Sequence, residues 1–225
     1  MGRARPHRRH ALGSVALVPI TTADLARFVE LYADRLHAAR EHLTALDSAV
    51  GDADHGINMD RGFSAVREVL PGLREGLPGA LAKQVGMKLI STVGGASGPL
   101  YGTFFLRFGT SLGDAAEMTG ADLATAVRAG LDGVIARGKA DPDDKTMVDA
   151  MTPAAEALES NAASDLVQAL EAAARAAAAG RDRITPLIAR KGRASYLGER
   201  SAGHVDPGAA STTILFESLR DALGR

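Results

Sequence analysis

A helical spacing of apolar residues runs through most of this chain and constrains its fold more than any other feature. From Thr22 onward, apolar residues recur every three or four positions, and Ala accounts for close to one residue in five. This spacing predicts amphipathic helices, and Ala has the highest helix propensity. β-Branched residues are scattered, and no Asn-Gly hairpin sequence is present. The sequence therefore predicts an all-α protein.

The spacing divides the chain into about eight helices. The first carries one apolar stripe of about six turns over residues 22–46. The others are expected at residues 58–70, 78–93, 99 onward, 121–136, 146–160, 162–179 and 209–223. Short connections favour antiparallel packing of neighbouring helices. We therefore expect a single domain in which antiparallel amphipathic helices form a bundle or barrel, with the functional residues in loops at one end.

The first 20 residues differ from the rest in charge. Four arginines occur within the first nine residues and precede a mildly apolar stretch at residues 11–20, which gives this region a superficial likeness to a secretory or twin-arginine signal. Gly13, Ser14 and Pro19 interrupt the stretch. We therefore expect residues 1–20 to be a basic, disordered extension and residues 21–225 to be the domain.

The composition excludes several classes of function. The chain has 26 basic and 27 acidic residues, a formal net charge of −1, without the basic excess of a nucleic-acid-binding protein. It contains no Cys, which excludes disulfides, cysteine zinc sites and thiol catalysis. Its longest nearly uncharged run, at residues 154–179, still contains five charged side chains, so no membrane-spanning helix is predicted. We expect a cytoplasmic protein that binds neither nucleic acid nor membranes.

Three carboxylates, Asp47, Asp52 and Asp54, are concentrated after the first expected helix. Carboxylates at close range repel one another unless a cation neutralises them, and such oxygen ligands select Mg²⁺, Ca²⁺ or Mn²⁺. A calcium-binding EF-hand loop is excluded, because Phe63 stands where that loop needs Glu. The pattern favours Mg²⁺ with the phosphates of a nucleotide. The alternative is that these residues are helix caps and solvated turn acids.

The second loop is built from small residues, Gly94-Gly95-Ala96-Ser97-Gly98, between two apolar helices. It has neither the Lys-Ser/Thr ending of a P-loop nor the spacing of a dinucleotide-binding turn. Small residues still allow a ligand to approach the backbone, and the amides that open the next helix attract an anion. The alternative is that the glycines only end a helix, with Gly98 and Gly102 forming a tight packing contact.

Two later loops gather polar residues. Residues 138–149 form a charged turn that leads into a helix, where Met147 is suited either to a purine or to the core. Residues 191–208 combine Arg, Tyr, Glu, His and Asp, which is typical of a ligand-binding clamp but also of a linker. Arg193 and Arg200 are the best candidates for phosphate binding.

Together, these loops resemble the nucleotide-binding L subunit of bacterial dihydroxyacetone kinase and the matching C-terminal domain of single-chain dihydroxyacetone kinases. The resemblance covers the chain from about Thr22 to its end, and the matching segments follow the family's order. They are Asp47 with Gly51-Asp52-Ala53-Asp54-His55-Gly56, then Gly95-Ala96-Ser97-Gly98-Pro99-Leu100-Tyr101-Gly102, then Asp144-Lys145-Thr146-Met147-Val148-Asp149, then Gly192-Arg193-Ala194-Ser195-Tyr196-Leu197-Gly198-Glu199-Arg200-Ser201, and finally Asp206-Pro207-Gly208.

The resemblance implies a helical barrel with a nucleotide at one end. By this resemblance, Asp47, Asp52 and Asp54 hold a pair of Mg²⁺ ions that bridge the phosphates of ADP or ATP, and these acids serve catalysis together with Arg193. The nucleotide contacts that it implies are His55, Gly56, Ile57, Asn58, Ala96, Ser97, Gly138, Met147, Arg193, Asp206, Pro207 and Gly208.

The resemblance further implies phosphoryl transfer to dihydroxyacetone. In this family the acceptor is bound covalently to a histidine of a separate K subunit, so we expect activity only with that partner. In phosphotransferase-system members, a phosphohistidine on a third subunit recharges bound ADP, whereas ATP-dependent members exchange the nucleotide. Such chemistry depends on positioning and charge neutralisation rather than on a protein nucleophile. His55 is accordingly expected to contact phosphate or support the site.

Two alternatives stay open at this point. A related kinase module that uses free ATP, acting on another ketose, a triose or a fatty acyl group, has a similar nucleotide domain. A non-catalytic regulator that docks on another protein is the second alternative. The complete set of acidic metal ligands favours a kinase over a degenerate module.

Overall fold

The computed structural model describes residues 19–224, and within them the chain forms nine α-helices and two 3₁₀ helices. The α-helices are α1 (Thr22–Ala38), α2 (Arg40–Val50), α3 (His55–Val69), α4 (Pro78–Thr92), α5 (Ser97–Leu112), α6 (Gly120–Gly138), α7 (Met147–Asn161), α8 (Leu166–Ile184) and α9 (Pro207–Leu223). The 3₁₀ helices span Leu70–Leu73 and Arg193–Ser201. In the described part of the chain, strand-like pairing is limited to one bridge between Ile20 and Met118. The all-α prediction is confirmed.

Capped starts and apolar faces explain why these segments are helical. In a capping box, a Thr side chain accepts a hydrogen bond from the third helical residue, whose carboxylate accepts from the Thr backbone. Such boxes open α1, α6 and α7 and are formed by Thr21 with Asp24, Thr119 with Asp122, and Thr146 with Asp149. Pro78 and Pro207 occupy first helical positions of α4 and α9, where no backbone N–H is needed.

Packing between consecutive helices closes the domain into a barrel. Each helix from α3 to α9 packs on the next one in the chain, and α9 and α3 both pack on α1. Because most of the connections are short, consecutive helices run in opposite directions. The connections α2–α3, α4–α5, α6–α7 and α8–α9 consequently meet at one end of the barrel. The predicted loops are therefore brought together.

The barrel interior is filled by aromatic residues and lined by small ones. Tyr32 lies with its ring centroid 4.7 Å from that of Phe63, and Phe104 lies 5.3 Å from Phe105. Between α4 and α5, a Cβ atom on Gly102 would lie 2.9 Å from the carbonyl oxygen of Gly86. Glycine is thus needed for this close helix contact, which confirms the packing role that the sequence analysis considered for Gly102.

Several predicted helix boundaries were wrong. The stripe at residues 22–46 belongs to two helices, because the chain bends at Ala39, between α1 and α2. The residues around this bend are mostly polar, and no large apolar residue lies between Leu36 and Leu43. Only the small side chain of Ala39 contacts the core there, so little apolar packing favours a single straight helix. The bend brings α2 onto α3 and gives residues 19–224 nine α-helices instead of the predicted eight. Residues 191–208 also contain a 3₁₀ helix, where a loop was expected.

The start of the fold lies slightly before the predicted boundary. Ile20, which was assigned to the extension, is 4% exposed and exchanges two backbone hydrogen bonds with Met118, each 2.8 Å long. Its burial in the apolar core explains its place in the domain. Residues 1–18 of the predicted extension lie outside the described residues. Among the helices of residues 19–224, none combines the length and the apolar character that crossing a membrane requires.

Candidate functional site

A cavity of about 440 Å³ opens at the end of the barrel where the four connections meet. Residues from all four predicted loops line it. Those that the sequence analysis named are Asp47, Asp52, Asp54, His55, Ala96, Ser97, Gly138, Met147, Arg193, Asp206, Pro207 and Gly208. The fold therefore brings together, around one space, residues that are up to 161 positions apart in the chain (47 to 208).

The acid cluster, Asp47, Asp52 and Asp54, forms one wall of this cavity. One carboxylate oxygen from each residue lies within 4.8 Å of those of the other two. Asp47 is buried in the last turn of α2, Asp54 is half-buried, and Asp52 is exposed. Such a group of carboxylates offers only oxygen ligands, which is the donor set that Mg²⁺ prefers. The donor chemistry therefore fits a magnesium site.

Asp47 is held in place by the backbone of the acidic loop. One of its carboxylate oxygens accepts hydrogen bonds from the backbone N–H groups of Asp54, at 2.8 Å, and His55, at 3.0 Å. These amides open α3, so the charge lies at the favourable end of the helix dipole. Gly51 lies directly over the carboxylate, where a Cβ atom would approach Asp47 Oδ1 to 2.1 Å. Glycine at this position is therefore a requirement of the Asp47 conformation.

Arg193 reaches the acid cluster from the connection between α8 and α9. Its guanidinium Nη2 lies 2.8 Å from a carboxylate oxygen of Asp52, and 63% of its side chain is exposed. Arg200, the other predicted phosphate ligand, is exposed and is not among the residues that line the cavity. The negative charge of the cluster thus exceeds the charge that Arg193 supplies, which leaves it able to attract a cation.

The glycine turn lies beside the acid cluster and ends at the start of α5. Gly95 has a φ of +65°, a conformation that favours glycine. The first amides of an α-helix have no intrahelical partner, and no side chain caps those of α5, which begins at Ser97. Amides of this kind form an anion site when they face a ligand. Ala96 and Ser97 line the cavity at this position.

A buried network of hydroxyl groups and His55 contacts the glycine turn on the side facing the protein interior. His55 Nδ1 lies 3.1 Å from Ser97 Oγ, and its Nε2 lies 2.9 Å from Ser211 Oγ on α9. Ser211 Oγ in turn lies 2.8 Å from the hydroxyl of Tyr101, which is 3.0 Å from Thr212 Oγ1. Because each member is hydrogen bonded, the network fixes the orientation of Ser97 at the cavity wall.

Burial determines the charge of His55. The residue is 7% exposed, and desolvation lowers its pKa to about 4, against a smaller opposing effect of the Asp47 carboxylate. The imidazole is therefore neutral at pH 7. It contributes hydrogen bonds to the site rather than positive charge.

Another part of the cavity wall is apolar. Leu100, Val134, Ala140, Met147 and Val148 line it. Met147 is 5% exposed and belongs to the main core, which confirms its packing role, while its contact with a purine stays a prediction. A flat apolar ring is the kind of group that such a wall accommodates.

The start of α9 contributes the turn formed by Asp206, Pro207 and Gly208. The carboxylate of Asp206 caps α9 by accepting a hydrogen bond from the Ala209 N–H at 2.7 Å. Desolvation of this carboxyl group raises its pKa to about 7. Asp206 therefore carries a partial proton at neutral pH.

Three predicted nucleotide contacts lie elsewhere. Gly56 packs against α2, where a Cβ atom would lie 2.1 Å from the carbonyl oxygen of Arg40. Ile57 is 43% exposed and borders a shallow groove along α2 instead of the cavity. Asn58 is buried beneath the glycine turn, where its side-chain oxygen accepts a hydrogen bond from Arg61 at 2.8 Å. Because α3 starts at His55, these residues project around the helix instead of along a loop.

Sequence reasoning missed several residues of the site. Tyr101, Ser211 and Thr212 form the buried network, and Lys145 is 1% exposed beside the cavity. Arg137 and Lys191 line the cavity and add positive charge. Three consecutive hydroxyl residues from Ser211 onward interrupt the apolar face of α9, and this was the signal that could have revealed the network.

Known proteins share the sequence of this chain over most of its length. Residues 49–221 match the family described as DAK2 domain. The chain is 49% identical over 181 residues to the ADP-binding subunit DhaL of the PEP-dependent dihydroxyacetone kinase of Escherichia coli K12, covering 80% of this chain and 86% of that protein. It is 40% identical over 190 residues to the ADP-binding subunit DhaL of the PTS-dependent dihydroxyacetone kinase of Lactococcus lactis, covering 84% of this chain and 92% of that protein.

A solved structure shares the fold. The crystal structure of the dihydroxyacetone kinase from C. freundii in complex with AMP-PNP and Mg²⁺ superposes with a TM-score of 0.70 at 29% sequence identity. The superposition covers 98% of this chain and 38% of the other. The chain thus corresponds to somewhat more than a third of that kinase.

Proposed function

This chain belongs to the DAK2 domain family, and from that membership we propose that it is the ADP-binding subunit of a dihydroxyacetone kinase. One observation carries the proposal: the acid cluster and the glycine turn face the same cavity. The relatives from E. coli and L. lactis, which are covered over 86% and 92% of their lengths, are named for this function.

In this proposal, ADP or ATP occupies the cavity with its adenine ring in apolar surroundings and its phosphates in polar ones. The adenine ring packs on the apolar wall that includes Leu100, Val134 and Met147. The phosphates lie toward the acid cluster and the first amides of α5, beside Ala96 and Ser97. A volume of about 440 Å³ is in the range of small-molecule and cofactor sites.

Asp47, Asp52 and Asp54 are proposed to hold Mg²⁺, with a pair of ions as in the resemblance. Bound Mg²⁺ would neutralise phosphate charge, the main requirement of phosphoryl transfer. The protein's own residues hold the site in shape. The α3 amides orient Asp47, Arg193 brings a positive charge to Asp52, and neutral His55 orients the Ser97 hydroxyl.

The phosphoryl acceptor is proposed to lie on a partner. The E. coli and L. lactis relatives are subunits, and their names specify PEP or PTS dependence. We therefore propose that dihydroxyacetone is bound covalently on a separate K subunit and that a phosphohistidine subunit of the phosphotransferase system recharges bound ADP. The reaction is proposed to take place in the cytoplasm, because its phosphoenolpyruvate and nucleotide are cytoplasmic metabolites.

Reconstitution tests this function and its phosphoryl donor together. The full chain is mixed with K subunit, dihydroxyacetone and Mg²⁺, and either ATP or phosphoenolpyruvate with the phosphotransferase proteins is added. We expect dihydroxyacetone phosphate with phosphoenolpyruvate and only a single turnover with ATP. Sustained turnover with ATP would contradict the phosphotransferase route, and absence of product with both donors would contradict the kinase function.

A further inference from the structure

Lys145 lies between α6 and α7, in a segment that matches the family. The proposed function gives this lysine no role. Although Lys is rarely buried, this residue is only 1% exposed. Its ammonium group donates three hydrogen bonds to backbone carbonyl oxygens, of Thr185 at 2.7 Å, Leu187 at 2.8 Å and Ser201 at 2.7 Å. An ammonium group has three N–H donors, so all of them are used.

The three carbonyl groups belong to one closed loop, residues 185–203. The loop leaves the end of α8, contains the second 3₁₀ helix and returns to its origin, where the Gly203 N–H donates to the Thr185 carbonyl at 2.9 Å. Inside it, the Ala189 N–H donates to the buried hydroxyl of Ser201 at 2.9 Å. Lys145 therefore bonds to both arms of the 185–203 loop.

This loop carries Arg193 to the acid cluster. Its apolar contacts lie outside the main core: Ala189, Ala194 and Leu197 pack with Val50 at the end of α2, and Leu187 packs on a small cluster formed by Ala150, Ile184 and Ala209. Lys191, Gly192 and Ala194 also line the cavity. The Arg190 N–H also donates to the carbonyl oxygen of Asp144, next to Lys145, at 3.0 Å. The three bonds of Lys145 add to this one and tie both arms of the loop to the segment between α6 and α7.

We propose that Lys145 is a positioning residue that sets the location of Arg193 for a bound nucleoside diphosphate. The inference rests on the proposed function, because the nucleotide is the ligand against which the effect of Arg193 is measured. Lys145 acts on Arg193 through the loop, because the loop carbonyl groups accept all three of its donors. Its charge also interacts with the Asp206 carboxylate at the cavity, but the contribution made through the loop disappears when Arg193 is absent.

A double-mutant cycle tests this coupling. Lys145→Met, Arg193→Met and the double variant of the full chain are titrated with ADP in Mg²⁺ by calorimetry. We expect each single variant to weaken binding about 10- to 100-fold, the range for losing a charged hydrogen-bonding group, and the double variant to be within about twofold of Arg193→Met. Lys83→Met, a half-buried lysine in the first half of α4 and therefore away from the α4–α5 connection, is the matched control and should bind as the wild type does.

Additive losses of affinity would overturn the proposal, because they would show that Lys145 acts on the nucleotide independently of Arg193. Unchanged affinity in Lys145→Met would also overturn it. If Lys145→Met does not fold, Lys145→Gln keeps two uncharged donors and takes its place in the same cycle, with a smaller loss but the same coupling.

Hydrogen exchange separates this proposal from the proposed function. In Lys145→Met without nucleotide, we expect backbone amides of residues 185–203 to exchange at least tenfold faster, while those of α1 stay unchanged. Unchanged exchange in the loop would overturn the positioning role, whether or not ADP binds. A wild-type chain that fails to bind ADP would contradict the proposed function instead, and the exchange result would still decide whether Lys145 holds the loop.

Discussion

The substitution Asp54→Asn separates the metal-binding role of the acid cluster from its role in the fold. The side chain of Asp54 makes no capping hydrogen bond to α3. Its backbone N–H donates to Asp47, and this bond does not depend on the side chain. Asn has nearly the same shape as Asp, so we expect a folded variant with unchanged helicity in which only a negative charge has been removed.

Without ligands, this variant should be slightly more stable than the wild type. The ligand oxygens of the three carboxylates lie within 4.8 Å of one another, a separation at which two unit charges repel by about 1 kcal/mol in a water-like medium. The substitution relieves the repulsion of Asp54 by Asp47 and by Asp52, whose charge Arg193 partly offsets. A net gain of about 1 kcal/mol raises the Tm of a domain of this size by about 2–4 °C.

In the presence of Mg²⁺ and ADP, the order of stability should reverse. A ligand at 100 times its Kd stabilises the folded state by about 2.7 kcal/mol, which corresponds to about 5–11 °C in Tm. Asp54→Asn should lose most of this gain, because it lacks one of the three carboxylates. Scanning calorimetry with and without Mg²⁺ and ADP measures both effects.

Asp114→Asn is the matched control for this experiment. Asp114 is an exposed acid in the connection between α5 and α6, at the end of the barrel away from the cavity, so its substitution should leave the ligand-induced shift intact. A full shift in Asp54→Asn would refute the metal-site reasoning. A ligand-free Asp54→Asn variant less stable than the wild type would refute the argument from charge repulsion.

Two further substitutions test the site geometry. Gly51→Ala places a Cβ atom 2.1 Å from Asp47 Oδ1, so we expect about 1–3 kcal/mol lower stability in urea unfolding and weaker Mg²⁺ binding. Gly72→Ala is the control: no atom lies within 4 Å of its Cβ position, so stability and Mg²⁺ binding should both stay unchanged. Asp206 has a folded-state pKa of about 7, above its ordinary value of 3.8, so its contribution to stability is present below pH 4 and is lost as the pH rises through 7. Asp206→Asn keeps a capping side chain for the Ala209 N–H without the buried charge. Its unfolding free energy should exceed that of the wild type by about 1 kcal/mol or more at pH 8 and should equal it at pH 4. Equal stability at pH 8 would contradict the raised pKa.

The helices were largely predictable because local signals and the core agree. Apolar residues at helical spacing mark the faces that became buried, and Pro78 starts α4 where its sequence indicated. The bend at Ala39 was not predictable in the same way, because α2 leaves the direction of α1 to pack on α3 and α9. The contact with α9 joins residues distant in the chain, so the polar residues around Ala39 permit a bend without indicating its direction.

The site was predictable where loops carry the chemistry and less so where helices do. The acid cluster and the Gly95-Ala96-Ser97 turn line the cavity as expected, because their residue types have few other uses in a helical protein. Ile57, a predicted nucleotide contact, does not line the cavity, because α3 begins at His55 and turns that side chain toward solvent. Lys145 was overlooked because a lysine in a polar segment resembles a surface residue until the 185–203 loop is folded around it.

A crystal structure of the full chain with ADP and Mn²⁺ tests the central claim most directly. Mn²⁺ replaces Mg²⁺ here because it gives a measurable anomalous signal. The account predicts ADP in the cavity between the glycine turn and the apolar wall. It also predicts anomalous peaks within about 2.5 Å of carboxylate oxygens of Asp47, Asp52 and Asp54. ADP bound outside this cavity, or Mn²⁺ bound without contact to these three carboxylates, would contradict it.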